Sequence, residues 1–177
     1  EFLEALDNDF EGYEEIRQMC LAAPKYGNDI PEVDEIATEI TQFFVEEVWK
    51  YEGRYGGRLP VMSAAAGFHI TPAHYVGALP SGRKALMPLA DTMSPMQGTD
   101  RKGATAVLKS VSKCRHDLFT DGTLLNMKLD PSLVKDERGT GAFVSLLKSA
   151  HDLGLFAFQF NVVSAETLRE AQRHPEQ

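Results

Sequence analysis

The stretch from Gly77 to Ala106, GALPSGRKALMPLADTMSPMQGTDRKGATA, limits the possible folds more than any other, because it holds four of 14 glycines and three of nine prolines. It is too interrupted for a helix and lacks the alternation of a strand. Irregular runs this long are uncommon in compact domains and are usually functional or disordered. Its apolar content argues against disorder. We therefore predict a long, ordered loop that packs on a core through Leu79, Leu86, Met87, Leu89, Met93 and Met96.

Size and charge narrow the class of protein. A chain of 177 residues is one domain or part of one. Its net charge of -8 argues against nucleic acid or an anionic membrane as a partner. No apolar run approaches the roughly 20 residues that a membrane span requires. Two cysteines cannot form a disulfide framework or a closed zinc site, so we expect a cytoplasmic protein.

Apolar spacing predicts the first helices. One helix is expected over 1–23, weakened by Gly12, and a second from Asp29 to about Tyr51. Asp29 is expected to cap the second helix, with Glu32 completing a capping box. The second helix should place one face on the core and the other in solvent: Val33, Ile36, Ala37, Ile40, Phe43, Phe44 and Val48 on the core side, and Glu35, Glu39 and Glu46 on the solvent side.

The rest of the chain alternates between strand and helix patterns. Strands are predicted over 59–70, 124–129 and 155–163, the last of them buried on both faces. Helices are predicted over 104–113 and 141–152 and from Glu166 onward, the last capped by Ser164. This order indicates an α/β fold, either a barrel or a doubly wound sheet.

Two sets of residues are candidates for a ligand pocket. The predicted strand 59–70 carries few large side chains, which allows another backbone or a ligand to approach closely. Gln159 and Asn161 are polar residues on one face of an otherwise apolar strand, where they bind either neighbouring backbone or a ligand. The pocket candidates are Ser63, Ala64, Ala65, Ala66, Phe68, Gln159 and Asn161.

Common catalytic motifs are missing. The five histidines do not pair at the helical spacing of metal ligands, so we predict no metal site. No G-x-S-x-G motif surrounds Ser63 or Ser81. The run from Gly98 to Gly103 lacks the spacing of a phosphate-binding loop, because its lysine precedes the second glycine. Residue chemistry alone therefore reveals no complete active site.

Several blocks, taken together and in order, resemble the C-terminal part of the glycyl radical enzymes, the pyruvate formate-lyase superfamily. They cover nearly the whole chain, and their combination is specific where any single block would be weak. The blocks are Ala23 to Asp29 followed by Val33-Asp34; Gly77 to Ala85; Pro88 to Asp91; Ser94-Pro95 with Gly98 to Asp100; Gly103 to Lys113; Leu125-Asn126; Gln159 to Val163; and Leu168 to Glu176.

The resemblance implies a fold and a chemistry. Residues 1–177 would form part of a single ten-stranded α/β barrel wrapped by helices, with no separate second domain. The family uses a glycyl radical and a thiyl radical on facing loops inside the barrel. The radical is installed with S-adenosylmethionine by a separate radical SAM activating enzyme, so no cofactor is expected to bind this chain itself. A small-molecule substrate and a homo-oligomer are also implied.

The resemblance also implies that both reacting groups lie outside this chain. The radical glycine of the family follows the segment that matches His174 to Glu176, within an Arg-Val-x-Gly-Tyr motif. The thiyl cysteine lies upstream of the block that matches 23–29, so neither Cys20 nor Cys114 corresponds to it. We therefore expect a fragment, and the codons after Gln177 should continue into that motif. An isolated copy would expose unpaired strand edges.

The branch of the family is predicted from two blocks. Leu79 to Lys84 departs from the Thr-Pro-Asp-Gly-Arg-Arg of pyruvate formate-lyases, and Gln159 to Asn161 resembles the other branches. Small residues at 63–67 imply a wide, weakly polar pocket. We therefore expect C–C bond chemistry on a bulky, partly apolar substrate, either hydrocarbon addition to fumarate (as in alkylsuccinate or benzylsuccinate synthases) or arylacetate decarboxylation. The alternatives are a polyol or amino-alcohol dehydratase or C–N lyase, and a non-catalytic binding module.

Overall fold

The computed structural model describes residues 1–65 and 67–174. Its helices and strands alternate in the second half of the chain, which confirms the mixed α/β class. Within the described residues the elements are α1 (Phe2–Asp7), α2 (Glu14–Ala22), α3 (Pro31–Val48), α4 (Ala104–Ser112), β1 (Leu124–Leu129), α5 (Glu137–Asp152), β2 (Ala157–Val162) and α6 (Ala165–Arg173). Short 3₁₀ turns lie at Thr71–His74, His116–Leu118 and Pro131–Val134.

Strands β1 and β2 pair in parallel, in a register that runs from Leu124 opposite Ala157 to Leu129 opposite Val162. Helix α5 connects them, because parallel strands need a crossover rather than a tight turn. One face of this pair covers the main core together with α4. That core includes Val107, Leu108, Val111, Leu125, Met127, Ala150 and Leu155, with Phe158 and Phe160 packed against it. The predicted bounds of β1 are confirmed, and those of α4 are confirmed to within one residue.

The free edge of β1 is closed by loops rather than by a regular strand. Ser63 and Thr123 form a single parallel bridge, and the Leu124 amide donates to the Ser63 carbonyl. Further along, the Met93 amide donates to the Leu124 carbonyl at 3.1 Å. The long loop thus satisfies backbone groups that would otherwise be exposed at a sheet edge.

The prediction of a strand over 59–70 is wrong. Beyond the bridge at Ser63 the described part of this segment forms turns, and Gly67 has a φ of +86°. Alanine-rich runs have low strand propensity and few side chains to pack against neighbours, which explains why the ladder stops after one pair. Ala66 lies outside the described residues.

The predicted single helix over 1–23 is interrupted. Helices α1 and α2 are separated by a turn in which Asp9, Phe10 and Gly12 have positive φ values. Phe10 is 1% exposed and packs with Ala5 in a second, smaller core. Burying this aromatic ring offsets the cost of left-handed backbone at two non-glycine residues.

Asp29 does not cap α3, contrary to the sequence prediction. The helix begins at Pro31 after an extended Ile30, and Asp29 itself has a φ of +52°. Its carboxylate instead accepts from Lys113 at 3.0 Å, and its amide donates to Ser110 Oγ at 2.8 Å. Hydrogen bonding from Lys113 lowers the pKa of Asp29. Asp29 therefore joins the start of α3 to α4.

Two predicted burial patterns are also wrong. The acidic side of α3 is exposed as expected, but its apolar side is exposed as well, at Ile36 (57%), Ile40 (62%), Phe43 (63%) and Phe44 (54%). Strand β2 is shorter than predicted, and its residues Gln159, Asn161 and Val162 are exposed. The residues of α3 that are fully buried, Asp34 and Val45, were not in the predicted core set. Apolar periodicity identifies an apolar face, but it does not say whether another element of the chain covers that face.

The long loop is ordered, as predicted, but Leu86 and Met87 are exposed rather than packed on a core. Arg83 stabilises the first half of the loop. Arg83 is 4% exposed, and its guanidinium donates to the carbonyls of Ala73, Val76, Gly77 and Met87. Hydrogen bonds to a charged group contribute about 1.5–3 kcal/mol each, so these bonds offset the cost of burying the charge. These bonds join the 3₁₀ turn Thr71–His74 to the backbone at Val76, Gly77 and Met87.

Asn28 stabilises the second half of the loop. Its Nδ2 donates to the carbonyls of Lys25 (3.1 Å) and Thr99 (2.8 Å), and its Oδ1 accepts from the amides of Arg101 and Lys102. The buried side chain is therefore fully hydrogen-bonded. This joins the turn before α3 to the segment that leads into α4.

Substitution of Gly27 should loosen this junction selectively. A Cβ at Gly27 would lie 2.2 Å from Pro95 Cγ, and the φ of +91° is strained for alanine. Gly27→Ala should cost about 1–2 kcal/mol for backbone strain plus about 1–3 kcal/mol for overpacking. In hydrogen-exchange mass spectrometry of the complete gene product, peptides containing Arg101 and Lys102 should exchange faster.

The matched control is Gly56→Ala. Gly56 also has a positive φ (+82°), but a Cβ there would meet nothing within 4 Å. It should carry the backbone cost alone and leave exchange around Arg101 unchanged. Equal exchange in both variants would contradict the proposed contact between Gly27 and Pro95.

Candidate functional site

The face of the β1–β2 pair opposite the core is polar. Along β1, Asn126 and Lys128 alternate with the buried Leu125 and Met127, as expected for a strand with two different faces. The register places Gln159 opposite Asn126, and Asn161 opposite Lys128. Four polar side chains therefore form one patch on neighbouring strands.

This patch is one wall of a cavity of about 380 Å³, which we call the polar cavity. Such a volume is within the range of small-molecule sites. The other walls come from the segment after Ser63 and from the long loop. The lining residues are Ala65, Gly67, His69, Ile70, Pro88, Asp91, Gln97, Leu124, Asn126, Lys128, Gln159 and Asn161.

A second cavity of about 400 Å³ adjoins the polar cavity and extends toward the start of α4. The two cavities share five polar lining residues, namely Asp91, Gln97, Asn126, Lys128 and Asn161. These side chains therefore lie between the two spaces.

A chain of polar contacts fixes the orientation of Gln97. Lys128 Nζ donates to Gln97 Oε1, and Gln97 Nε2 donates to Asp91 Oδ2 at 3.4 Å. Asp91 is 7% exposed, and Thr92 Oγ1 also donates to it, at 3.5 Å. The amide thus connects a cation and a carboxylate, so the polar groups of this wall are held in place before any ligand binds.

Ser94 fixes the backbone of Asn126. The Asn126 amide donates to Ser94 Oγ at 3.0 Å, and the Ser94 hydroxyl donates to the Asn126 carbonyl at 3.3 Å. One hydroxyl thereby satisfies both the amide and the carbonyl of Asn126. These two groups lie on the edge of β1 away from β2, where no other strand of the described residues pairs with them. The Asn126 side chain is presented into the cavity from a rigid element.

The sequence-predicted pocket residues are divided by the structure. Ala65, Gln159 and Asn161 line the polar cavity. Ser63 pairs with Thr123 and does not line it, Ala64 and Phe68 are exposed outside it, and Ala66 lies outside the described residues. The prediction that Gln159 and Asn161 share a face is confirmed by the strand register.

Sequence reasoning missed His69, Asp91, Gln97, Asn126 and Lys128 as lining residues. The two on β1 had a usable signal, since LLNMKL alternates buried apolar and polar residues from Leu125 onward. The other three lie on irregular segments, where no periodicity reports the direction of a side chain.

Three further features of the described residues bear on function. No group of three His, Cys, Asp or Glu side chains there could hold a metal ion. Cys20 and Cys114 are free and buried, and Tyr26 Oη lies 3.7 Å from Cys114 Sγ. Burial raises the pKa of Tyr26 well above its ordinary value. Among residues 1–65 and 67–174, none of the helices combines the length and apolarity that crossing a membrane would require.

Comparison with protein families agrees with the resemblance seen in the sequence. Residues 89–177, half of the chain, match the family described as glycine radical, and residues 1–70 match the pyruvate formate lyase-like family. The chain belongs to the glycyl radical enzymes.

Three relatives illustrate the range of chemistry in this family. Isethionate sulfite-lyase of Bilophila wadsworthia is 36% identical over 99% of this chain and 21% of its own length. The 4-hydroxyphenylacetate decarboxylase glycyl radical subunit of Clostridium scatologenes is 32% identical over 99% of this chain and 20% of its own length. The B12-independent glycerol dehydratase of Clostridium butyricum, with glycerol bound, is 40% identical.

The structural likeness extends over almost the whole chain. The glycerol dehydratase superimposes with a TM-score of 0.90 over 98% of this chain and 22% of its own chain. The described fold is thus a part of the glycyl radical enzyme barrel. The chain spans about a fifth of the length of the curated relatives it matches.

Filling the polar cavity at Ala65 should impair ligand binding. Ala65 is a lining residue, so Ala65→Leu should occupy ligand space and lower kcat/KM by at least about 10-fold, because a single methylene in a binding pocket is worth about 1–3 kcal/mol. The measurement is steady-state kinetics of the activated complete gene product, with its melting temperature recorded in parallel.

Ala64→Leu is the matched control, because the neighbouring Ala64 is exposed and does not line the cavity. It should leave kcat/KM within about twofold of the parent. If Ala65→Leu and Ala64→Leu lower the melting temperature equally and neither alters kcat/KM, this segment is only packing.

Proposed function

We propose that the protein is a glycyl radical lyase that eliminates a small group from a compact, hydroxylated substrate bound in the polar cavity. The observation that carries this proposal is the polar face of the β1–β2 pair, where Asn126, Lys128, Gln159 and Asn161 point into one space. A polar wall suits a substrate with several hydrogen-bonding groups, because an apolar ligand would leave these groups without water or partner.

In this proposal the chain supplies one wall of the substrate site. Its residues bind and orient the substrate and exclude water, while the long loop holds the wall in position through Arg83 and Asn28. The radical glycine and the reacting cysteine would come from segments outside these 177 residues. A separate radical SAM enzyme would install the radical with S-adenosylmethionine, as the resemblance implies.

The relatives support elimination as the reaction class. The names of two of them, isethionate sulfite-lyase and glycerol dehydratase, describe loss of sulfite and of water from small molecules. Isethionate and glycerol both carry hydroxyl groups next to the bond that breaks. A cavity of about 380 Å³ has room for molecules of this size.

C–C bond chemistry on a bulkier, partly apolar substrate, such as arylacetate decarboxylation, is the second candidate. Ala65, Gly67 and Ile70 give the polar cavity one wall that is small and apolar. A relative named as a decarboxylase of 4-hydroxyphenylacetate shares 32% identity with the chain. An aromatic ring against this wall would still face the polar side chains of β1 and β2.

Activation of the complete gene product tests the proposal. Treated anaerobically with a radical SAM activating enzyme and S-adenosylmethionine, it should give the doublet electron paramagnetic resonance signal of a glycyl radical. Isethionate or glycerol should then be turned over at least about tenfold faster than 4-hydroxyphenylacetate, a difference of about 1.4 kcal/mol in transition-state binding.

Two results would redirect this account. Activity in air without any radical signal would exclude a glycyl radical enzyme. A radical signal with turnover of 4-hydroxyphenylacetate alone would reject the elimination of small hydroxylated substrates in favour of the second candidate.

A further inference from the structure

Two buried polar atoms in the lining of the polar cavity have no hydrogen-bond partner among the described residues. They are Asn126 Oδ1, on β1, and His69 Nδ1, on the segment that precedes the first 3₁₀ turn. Buried polar atoms are nearly always hydrogen-bonded, and leaving one unpaired costs about 1–3 kcal/mol. Both residues line one cavity, so an occupant of that cavity is the natural source of the missing partners.

Their location separates these atoms from the other unpaired ones. Asp34 Oδ1, Trp49 Nε1 and Ser81 Oγ are also buried without a partner, but none of these residues lines the polar cavity. Asp34 remains paired through its other oxygen, which accepts from Lys113 at 2.7 Å.

The backbones of Asn126 and His69 are held independently of any ligand. Ser94 binds both backbone groups of Asn126 on the free edge of β1. The His69 carbonyl accepts from the Leu89 amide at 2.9 Å, which ties its segment to the long loop. These contacts fix the backbone positions from which both side chains extend. Both residues therefore line the polar cavity from backbone that is fixed in advance.

We propose that Asn126 and His69 are substrate-binding residues that select a ligand with a hydroxyl or ammonium group. Asn126 Oδ1 can only accept a hydrogen bond, so the ligand must present a donor to it. His69 Nδ1 pairs with a second polar group of the same ligand, as donor or acceptor according to its tautomer. This inference rests on the proposed function, because it takes the polar cavity as the substrate site.

Binding to the unactivated protein tests the inference without any turnover. Glycerol and isethionate are titrated into the complete gene product by calorimetry, before the radical is installed. Asn126→Leu should weaken binding by about 5- to 150-fold, the factor expected when a buried donor loses its acceptor. Asn126→Asp keeps an acceptor oxygen and should bind glycerol within about threefold of the parent. His69→Phe should also weaken binding of both probes.

Ser81→Ala is the matched control. It removes another buried, unpaired polar atom that does not line the polar cavity, so it should leave both dissociation constants unchanged. Melting temperatures identify any variant that fails to fold. If Asn126→Leu does not fold, His69→Phe decides the test, because unchanged binding of both probes in that variant would overturn the inference.

The outcomes separate this inference from the proposed function. Three results would overturn the inference about Asn126 and His69. The first is unchanged binding in Asn126→Leu, and the second is an equal loss of binding in Asn126→Asp and Asn126→Leu with unchanged melting temperatures. The third is failure of both probes to bind the parent protein. Unchanged binding in Asn126→Leu would mean that Asn126 does not contact the ligand. A missing radical signal would reject the proposed function but leave a selective loss of binding in Asn126→Leu standing.

Discussion

The backbone of β1 is hydrogen-bonded along both of its edges, and the arrangement of the rest of the site depends on this. On one side β2 pairs with it in parallel, and on the other side Ser63, Met93 and Ser94 bind its backbone in succession. A strand held on both sides cannot shift its register, and a shift of one residue would exchange its two faces. The core face and the polar face of the pair are therefore fixed together.

The long loop has two functions that follow from its chemistry. Its prolines and glycines prevent regular structure, so its amides and side chains are available to close the edge of β1. Its own folding is held by two buried polar side chains, Arg83 and Asn28, which bind backbone groups that are far apart in sequence. The loop is consequently rigid enough to carry Asp91 and Gln97, which form part of the cavity wall.

Much of the fold could be predicted from local sequence patterns, and the exceptions have identifiable causes. The bounds of β1, the position of α4 and the Ser164 cap of α6 follow from periodicity and capping chemistry. The prediction of one continuous helix over 1–23 was wrong because burial of Phe10 stabilises a turn that the apolar spacing does not reveal. The prediction that Asp29 caps α3 was wrong because Lys109 on α4 and Lys113, which directly follows α4, compete for its carboxylate.

The candidate site was only partly predictable. Gln159 and Asn161 could be placed on one face because strand side chains alternate. Their neighbours Asn126 and Lys128 come from a strand more than 30 residues earlier, and only the parallel register brings the two pairs together. His69 and Gln97 lie on irregular backbone, so their direction depends on tertiary contacts rather than on any local pattern. The exposure of the apolar residues of α3 was unpredictable for a similar reason, because an apolar pattern does not show whether another element covers the helix.

The most direct test of the central claim is a crystal structure of the complete gene product with glycerol or isethionate bound. The account predicts that the ligand lies against the polar face of β1 and β2, with a hydroxyl oxygen within about 3.2 Å of Asn126 Oδ1. A structure in which the ligand binds elsewhere, with Asn126 and His69 paired to protein groups instead, would contradict it.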